Sequence, residues 1–118
     1  MSNELKVSII VDFSKGGAKL SKQFSKQIDI TGDSYTAAVH EVGTSEEELT
    51  QHADVGTPGW VYAKNLDSTN YVEIGSTTGV YDVKLLAGEA AIWRHNSATV
   101  YAKADTAACK VDYVIFEL

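Results

Sequence analysis

The sequence predicts an all-β fold, either an antiparallel β-sandwich or a jelly-roll-like barrel of about eight or nine short strands. Three observations predict it. Apolar and polar residues alternate with period two in short runs along the chain. Clusters of glycine, asparagine, aspartate and serine separate these runs at short intervals. No segment carries the long 3.6-residue periodicity of an extended amphipathic helix, and strands joined by tight turns are antiparallel.

The first two predicted strands lie on either side of a glycine pair. Leu5, Val7, Ile9 and Val11 alternate with Lys6, Ser8, Ile10 and Asp12, which predicts one apolar face. Residues 14–17 predict a turn because paired glycines adopt positive φ without steric cost. In the next run Leu20, Phe24 and Ile28 are four residues apart, which also fits a helix. A strand is favoured because the serines and glutamines between them are mediocre helix formers, and because residues 31–33 resemble a hairpin turn.

The middle of the chain predicts one strand and one ambiguous segment. Residues 35–42 form the third predicted strand. Residues 44–54 are rich in glutamate and fit three interpretations: a short helix with a capping box of Ser45 and Glu48, an edge strand, or a solvated loop.

The remaining strands follow a break at residues 55–59 that contains the only proline. Short polar turns separate them, and residues 65–69 are expected to join the first two as a tight connection. The predicted strands are residues 60–64, 70–74, 80–86, 89–94, 99–104 and 109–118.

Composition limits the class of protein. The 118 residues predict a single β-sandwich domain over residues 1–118, and the formal net charge of -6 argues against nucleic acid or an anionic membrane as the main partner. No apolar run reaches the ~20 residues of a membrane span, and the N-terminus lacks the features of a signal peptide. Because Cys109 is the only cysteine, synthesis in a reducing compartment is expected.

The sequence predicts no catalytic, cofactor-binding or metal-ligating residues, and therefore no enzyme and no cofactor. Cys109 has no adjacent base, and no nucleophile, zinc or phosphate-loop motif is present. The histidines lie in separate segments without ligand spacing, which favours structural roles for His40, His52 and His95. Four oxygen-bearing residues raise the idea of a calcium site, but turn formation is the favoured interpretation for Asn65, Asp67, Asn70 and Glu73.

Aromatic residues concentrate in the second half of the chain. They suit a protein core, a subunit contact or a platform on which sugars stack. For Trp60 and Trp93 core or subunit contact is favoured, because aromatic side chains dominate the energetics of both. The full set is Trp60, Tyr62, Tyr71, Tyr81, Trp93 and Tyr101.

Residues 59–75, which read GWVYAKNLDSTNYVEIG, resemble a known group of proteins. The pattern K-N-L-D-x-T-N-Y-V at residues 64–72 resembles small virion proteins of tailed bacteriophages. Residues 42–47, 83–90 and 101–104 extend the similarity to about the last two-thirds of the chain. The resemblance implies a non-enzymatic, all-β structural protein of the phage particle, and it transfers no catalytic residue.

The expected function is that of a capsid decoration or cement protein that binds and stabilises the assembled head as a small homo-oligomer, with a trimer as one candidate. Its expected partners are the major capsid protein or other virion proteins, and neither nucleic acid nor a membrane. Its expected location is the virion, after synthesis in the host bacterial cytoplasm. The alternative is a tail- or fibre-associated module that binds host-surface carbohydrate through Trp60, Tyr62 or Trp93. We also expect an exposed strand edge, or the N-terminal strand of residues 5–11, to pair across a subunit boundary.

Overall fold

A computed structural model describes residues 4–118. They form two compact units, one reaching to Thr31 and the other spanning Gly32–Leu118. Within residues 4–118 there are ten strands, one 3-10 turn and no α-helix, so the all-β prediction is confirmed. The elements in chain order are β1 (Leu5–Lys15), β2 (Ala18–Ile28), β3 (Tyr35–Val42), β4 (Glu47–Glu48), η1 (Ala53–Val55), β5 (Pro58–Asn65), β6 (Val72–Gly75), β7 (Val83–Leu85), β8 (Ala90–Arg94), β9 (Tyr101–Ala104) and β10 (Cys109–Glu117).

The first unit is a long antiparallel hairpin of β1 and β2. Their register runs without interruption from the Leu5–Ile28 pair to the Lys15–Ala18 pair. A two-residue loop joins the strands, and its first residue, Gly16, has a φ of 61°. Positive φ at the first loop position is the requirement of a type II′ turn, which matches the twist of the flanking strands. The strand prediction for β2 is therefore confirmed over the helical alternative. The observed turn is shorter than the predicted one, which covered residues 14–17.

The second unit is a sandwich of two four-stranded antiparallel sheets, with strand orders β3-β10-β5-β8 and β4-β9-β6-β7. The first strand of the unit pairs with the last, the second with the last but one, and so inward to the β6–β7 hairpin. A long hairpin rolled in this way gives the jelly-roll topology. The sandwich predicted for the whole chain is thus formed by Gly32–Leu118.

The core lies between the two sheets and follows the period-two pattern of the sequence. In β5, Val61 and Ala63 are fully buried and face inward, whereas Trp60 and Tyr62 face outward. The buried cluster consists of Val42, Leu49, Val55, Val61, Ala63, Val72, Ile74, Leu85, Val100, Ala102, Ala104, Cys109, Val111, Tyr113 and Ile115. Both sheets contribute to it, which makes the sandwich a single closed core.

Two of the predicted connections between strands are wrong. Residues 31–33 do not form a hairpin turn, because β2 pairs only with β1 and β3 pairs with β10. Residues 65–69 do not join paired strands, because β5 and β6 belong to different sheets. Turn residues look alike in sequence whether the chain reverses within a sheet or crosses to the opposite sheet. Only β6 and β7 are both consecutive and paired within Gly32–Leu118.

The ambiguous segment at residues 44–54 contains no α-helix. Its strand β4 is two residues long and pairs with β9 at the edge of the second sheet. The 3-10 turn follows it, and His52 Nδ1 accepts a hydrogen bond from the Asp54 amide at the start of that turn. This edge strand brings the strand count to ten rather than the predicted eight or nine.

Candidate functional site

The β1–β2 hairpin has two chemically different faces, because residues that are paired across an antiparallel ladder point to the same side. One face, here called the apolar hairpin face, carries nine apolar residues and three lysines: Leu5, Val7, Ile9, Val11, Phe13, Lys15, Ala18, Leu20, Lys22, Phe24, Lys26 and Ile28. The opposite face is polar except for Ile10. On it the Ser21 hydroxyl donates to Asp12 Oδ1 at 2.7 Å.

The exposure of the apolar hairpin face increases from its base to its tip. Val7 and Ile28 are buried near the base. Toward the tip Val11, Phe13 and Leu20 are each about half exposed, at 49%, 51% and 49%. An isolated two-stranded hairpin is at best marginally stable in water, and large apolar side chains gain burial energy only when another surface covers them. The hairpin is therefore a candidate interaction surface.

Charge divides the chain into two parts of opposite sign. The hairpin, residues 5–28, contains five lysines and one aspartate, a net charge of +4. Residues 32–118 contain five basic and thirteen acidic residues, a net charge of -8. On a second molecule the cationic hairpin therefore attracts acidic surfaces, and the acidic sandwich attracts basic ones.

The sandwich also exposes an unusual surface on the outside of the β3-β10-β5-β8 sheet, here called the outer sheet face. The strand registers place Ala37, Val114, Tyr62 and Ile92 in one row across all four strands. At the next outward position Tyr35 pairs with Phe116 and Trp60 pairs with Arg94, and a register shift between Ile115 and Glu117 separates these two pairs. Tyr35 is 61% exposed, and Val39 on the other side of the four-strand row is 57% exposed. Solvent-facing sides of antiparallel sheets normally carry polar residues, so this face too is a candidate interaction surface.

The outside of the other sheet has ordinary polar character. Glu73 lies directly across the ladder from Lys84 on one side and from Lys103 on the other. Such opposite-charge pairs suit a solvated sheet surface. The apolar outer sheet face is thus a property of one sheet and not of the sandwich as a whole.

The predicted aromatic platform does not form as one surface. Trp60 and Tyr62 point outward from β5, whereas Trp93 lies directly across from the buried Val61 and packs against the core. The Arg94 guanidinium stacks over the Trp60 ring at 5.4 Å from its centroid. Of the two favoured interpretations, core packing is confirmed for Trp93. Trp60 lies outside the core, and its subunit contact stays a prediction.

A polar cluster surrounds the inner edge of Trp93. Trp93 Nε1 donates to His95 Nδ1 at 3.0 Å, so the ring proton of His95 sits on Nε2 and is donated to the Thr99 carbonyl at 2.8 Å. Trp93 and His95 border a cavity of about 140 Å³ that Asp82 and Ile74 also line. Small-molecule sites in proteins usually exceed about 300 Å³, so this cavity is small for a ligand site.

The other two histidines have separate local partners. His40 Nε2 lies 3.0 Å from Glu47 Oε1, and the second oxygen of Glu47 accepts the Gly43 amide. The bond to Gly43, followed by the bond to His40, lowers the pKa of Glu47. His52 holds the start of η1. Within residues 4–118 no three histidine, cysteine, aspartate or glutamate side chains come together in a group that could hold a metal ion.

Cys109 is fully buried at the start of β10, as predicted for a small apolar residue. Its Sγ lies 3.6 Å from the Ala107 carbonyl. Burial raises the pKa of the thiol, and the nearby carboxylates of Asp67 and Asp105 add to this effect. The reactive thiolate is therefore disfavoured.

The Asn65–Asn70 segment forms the predicted turn. The buried Asn65 amide donates to the carbonyls of Asn70 and Leu85, at 2.9 and 3.1 Å, and its oxygen accepts the Asp67 amide at 3.0 Å. Asp67 Oδ2 accepts the amides of Asn70 and Thr69, and these two bonds lower the pKa of Asp67. Two of the oxygens that suggested calcium chemistry, Asn65 Oδ1 and Asp67 Oδ2, are thus engaged with backbone amides.

The sequence analysis missed a contact between Glu46 and Tyr81. Glu46 Oε1 accepts the Tyr81 hydroxyl at 2.5 Å and the Gly79 amide at 2.8 Å. Burial, followed by the bond to Glu46, raises the pKa of Tyr81 to about 12. The two partners are 35 residues apart, and no local pattern links them. The contact fastens the loop before β4 to the β6–β7 connection.

Among residues 4–118 there is no helix with the length and hydropathy needed to span a bilayer. Comparison of the chain with family models, with curated proteins and with solved structures found no match.

Proposed function

We propose that this chain is a non-enzymatic structural protein of a bacteriophage particle, namely a capsid decoration or cement protein that binds the assembled head and stabilises it. The observation that carries the proposal is the exposed apolar hairpin face. Its half-exposed Val11, Phe13 and Leu20 contribute little to the stability of a protein that acts alone in water, and a patch of this kind is typical of an interaction surface.

The tip of the hairpin gains little burial energy on its own. Burial of apolar surface contributes roughly 25 cal/mol per Å², and the apolar side chains at the tip stay half exposed. Ordering the backbone costs ~1–2 kcal/mol per residue, which two strands alone hardly offset. A chain that maintains such a hairpin is suited to assembly with another protein surface.

Two further points support the particle as the place of assembly. The jelly roll is an architecture of viral capsid and lectin domains, which supports the proposal by analogy of fold alone. The K-N-L-D-x-T-N-Y-V pattern at residues 64–72, which resembles phage virion proteins, occupies the end of β5, the turn built by Asn65, and the start of β6.

Stabilisation of the head would follow from mass action. A protein that binds the assembled lattice and not its free subunits shifts the equilibrium toward assembly, by an amount that grows with its free concentration over Kd. The net charge of -6 keeps the chain soluble before assembly, whereas the net charge of +4 on the hairpin favours an acidic or polar docking patch on the lattice.

The test is the copy number of this chain in purified particles, measured by quantitative mass spectrometry against the major capsid protein. A number comparable to that of the capsid protein supports the decoration role. A few copies per particle would move the chain to the tail or a fibre. Absence from the particle would refute a virion function.

Carbohydrate binding at a tail or fibre is the second candidate. The observation in its favour is that Trp60 and Tyr62 share the outer sheet face, whereas Trp93 lies on the other side of the sheet. A glycan array with the intact protein and with Trp60→Ala tests it. Binding that Trp60→Ala abolishes supports this candidate, and no binding at millimolar glycan counts against it.

A further inference from the structure

The outer edge of β1 carries backbone groups that no strand within residues 4–118 pairs with, because β1 and β2 form a sheet of their own. A two-residue loop closes the hairpin, so its last pair, Lys15 and Ala18, is hydrogen-bonded, and hydrogen-bonded pairs alternate along the ladder from there. The N–H and C=O groups of the even-numbered residues of β1 therefore point away from β2. A strand edge of this kind is a template for pairing with another chain.

The two edges of the hairpin differ in their charge. β2 carries three lysines and no acidic residue, and lysines are a common means by which proteins keep an edge strand from pairing. β1 has no charged residue between Lys6 and Asp12. Residues 7–11 read VSIIV, which is rich in β-branched residues and contains neither glycine nor proline. The edge of β1 is therefore open to pairing, whereas that of β2 is protected against it.

We propose that β1 pairs with β1 of a second copy, antiparallel and about a two-fold axis at Ile9. Ile9 then lies opposite the same residue of the second copy, and residues at equal distances on either side of it lie opposite each other. On the apolar hairpin face this places Val7 opposite Val11, and Leu5 opposite Phe13. The contact is isologous, with the same edge used on both sides. It concerns the chain in solution and does not depend on a role in a virion.

Charge selects this register. Lys6 of each copy lies opposite Asp12 of the other on the polar face, and both residues are exposed in the single chain. Opposite charges across a ladder stabilise pairing, and like charges oppose it. A shift by two residues in one direction would place Asp12 opposite Glu4, and the same shift in the other direction would place Lys15 opposite Leu5. A parallel arrangement in register would bring the two copies of Lys6 side by side.

The positive charge of the hairpin does not prevent this contact, because most of it resides on β2. β1 has two lysines and one aspartate, whereas β2 has three lysines and no acidic residue. In the paired arrangement the two copies of β1 lie between the two copies of β2, which are then about 14 Å apart at a strand spacing of ~4.8 Å. Exposed charges separated by more than ~8 Å are largely screened at physiological ionic strength.

Pairing also supplies stability that the hairpin lacks as an isolated element. Two strands alone are at best marginally stable in water, whereas three or more strands with a hydrophobic face are stable. Two paired hairpins form a four-stranded sheet in which their apolar hairpin faces are continuous. On the polar face Ile10, which is 67% exposed, becomes a diagonal neighbour of the second copy's Ile10. The contact therefore gives the one apolar residue of that face an apolar neighbour.

Charge reversal tests the contact in the intact chain, with self-association measured by sedimentation equilibrium. Lys6→Asp places aspartates opposite each other at both ends of the contact, and we expect it to weaken association by about tenfold or more. Asp12→Lys should do the same through opposed lysines. Lys19→Asp is the matched control, because it makes the same change in charge on the polar face of β2, outside the contact. Equal weakening by Lys19→Asp would attribute the effect to net charge and contradict the proposal.

A mixture of Lys6→Asp and Asp12→Lys then identifies the pairing. In the mixed dimer each aspartate of the first variant lies opposite a lysine of the second, so we expect association close to that of the intact chain. Circular dichroism confirms that each variant alone is folded, which separates a lost contact from a lost fold.

The register is tested by cysteine substitution. Ile9→Cys brings two thiols together at the two-fold axis, where the Cα atoms of a non-hydrogen-bonded pair lie ~4.5 Å apart, within the range of a disulfide. Oxidation should therefore give a covalent dimer. Ile10→Cys is the control, since its diagonal partner lies ~7–8 Å away, beyond that range. Cys109 is fully buried, so the parent chain should not cross-link.

Three further results would overturn the proposal. One is an intact chain that remains monomeric at every concentration. Another is a mixture of the two charge variants that associates no better than either variant alone. The third is equal cross-linking of Ile9→Cys and Ile10→Cys, which would indicate another register or another surface. Because no particle is involved, failure here is distinct from failure of the copy-number test.

Discussion

The hairpin and the sandwich bury their apolar side chains in opposite ways. In the sandwich, side chains such as Ile74 and Ile115 are fully buried between two sheets of the same unit. In the hairpin, residues of equal hydrophobicity, such as Phe13 and Phe24, remain about half exposed. The same period-two pattern therefore gives a closed core in one unit and an open surface in the other.

The difference teaches that the amount of apolar sequence does not by itself measure stability. The sandwich contains the groups that cover its inner faces, so its stability is intrinsic. Toward the tip of the hairpin the apolar side chains would be covered only by a partner, so we expect local opening to cost less there than in the sandwich. Substitutions that change the stability of one unit and not of the other make this distinction measurable.

The largest expected effect is in the sandwich core. Ile74→Ala removes a fully buried side chain from β6, and we expect the free energy of unfolding to fall by about 3 kcal/mol through lost burial and the remaining cavity. Chemical denaturation followed by far-UV circular dichroism measures it. Phe24→Ala at the hairpin is the comparison, with an expected loss below about 0.5 kcal/mol for the monomer.

This contrast is open to a clear refutation. A loss at Phe24→Ala as large as that at Ile74→Ala, at a concentration where the chain is monomeric, would mean that the hairpin is covered within the molecule. The distinction drawn between the two units would then be wrong.

The next effect concerns the turn after β5. Asn65→Ala would leave the carbonyls of Asn70 and Leu85 and the amide of Asp67 without their partner in a buried site. We expect a loss of about 2 kcal/mol in the free energy of unfolding. Asn70→Ala is the control, because Asn70 takes part through its backbone carbonyl, and its variant should lose much less. Equal losses would contradict the role assigned to the Asn65 side chain.

Local features of the fold were accessible from the sequence, and long-range ones were not. The strand of residues 35–42 has the predicted bounds, and the inward positions Val61, Val72 and Ile74 follow from alternation. The pairing of β3 with β10 was not accessible, because alternation specifies a face and not a neighbour. Rolled topology links strands that are far apart in sequence, whereas turn signals report only adjacent residues.

The same limit applies to the candidate sites. The turn built by Asn65 and Asp67 is local, and its bonding could be predicted. The contact of Glu46 with Tyr81 joins two loops, and the outer sheet face joins four strands. Trp60 shows the consequence: its residue type suggested core or subunit contact, and only its position in the sheet, alternating with Val61, places it outside the core.

A smaller effect is expected from removal of the hairpin. A chain of residues 32–118 keeps both sheets of the sandwich and every residue of its buried cluster. We expect it to fold, with a free energy of unfolding within about 1 kcal/mol of the intact monomer. Denaturant titration with the slope compared between the two chains measures this. Loss of cooperative unfolding would contradict the independence of the sandwich.

The smallest effect is a change in acid sensitivity at Asp67. The amides of Asn70 and Thr69 lower the pKa of its carboxyl below the ordinary value of 3.8. A carboxyl with a lowered folded-state pKa stabilises the protein above its unfolded value, and this contribution disappears as the pH falls through the folded pKa. Asp67→Asn should therefore be less stable than the parent chain at neutral pH and should lose less stability below pH 3.8.

Thermal melting at a series of pH values measures how the Tm of each chain depends on pH. Asp12→Asn on the hairpin is the control, because it removes a carboxylate outside the sandwich. We expect the Tm of Asp67→Asn to approach that of the parent chain as the pH falls. A Tm difference between the two that stays constant over the pH series would contradict the role assigned to the Asp67 carboxylate.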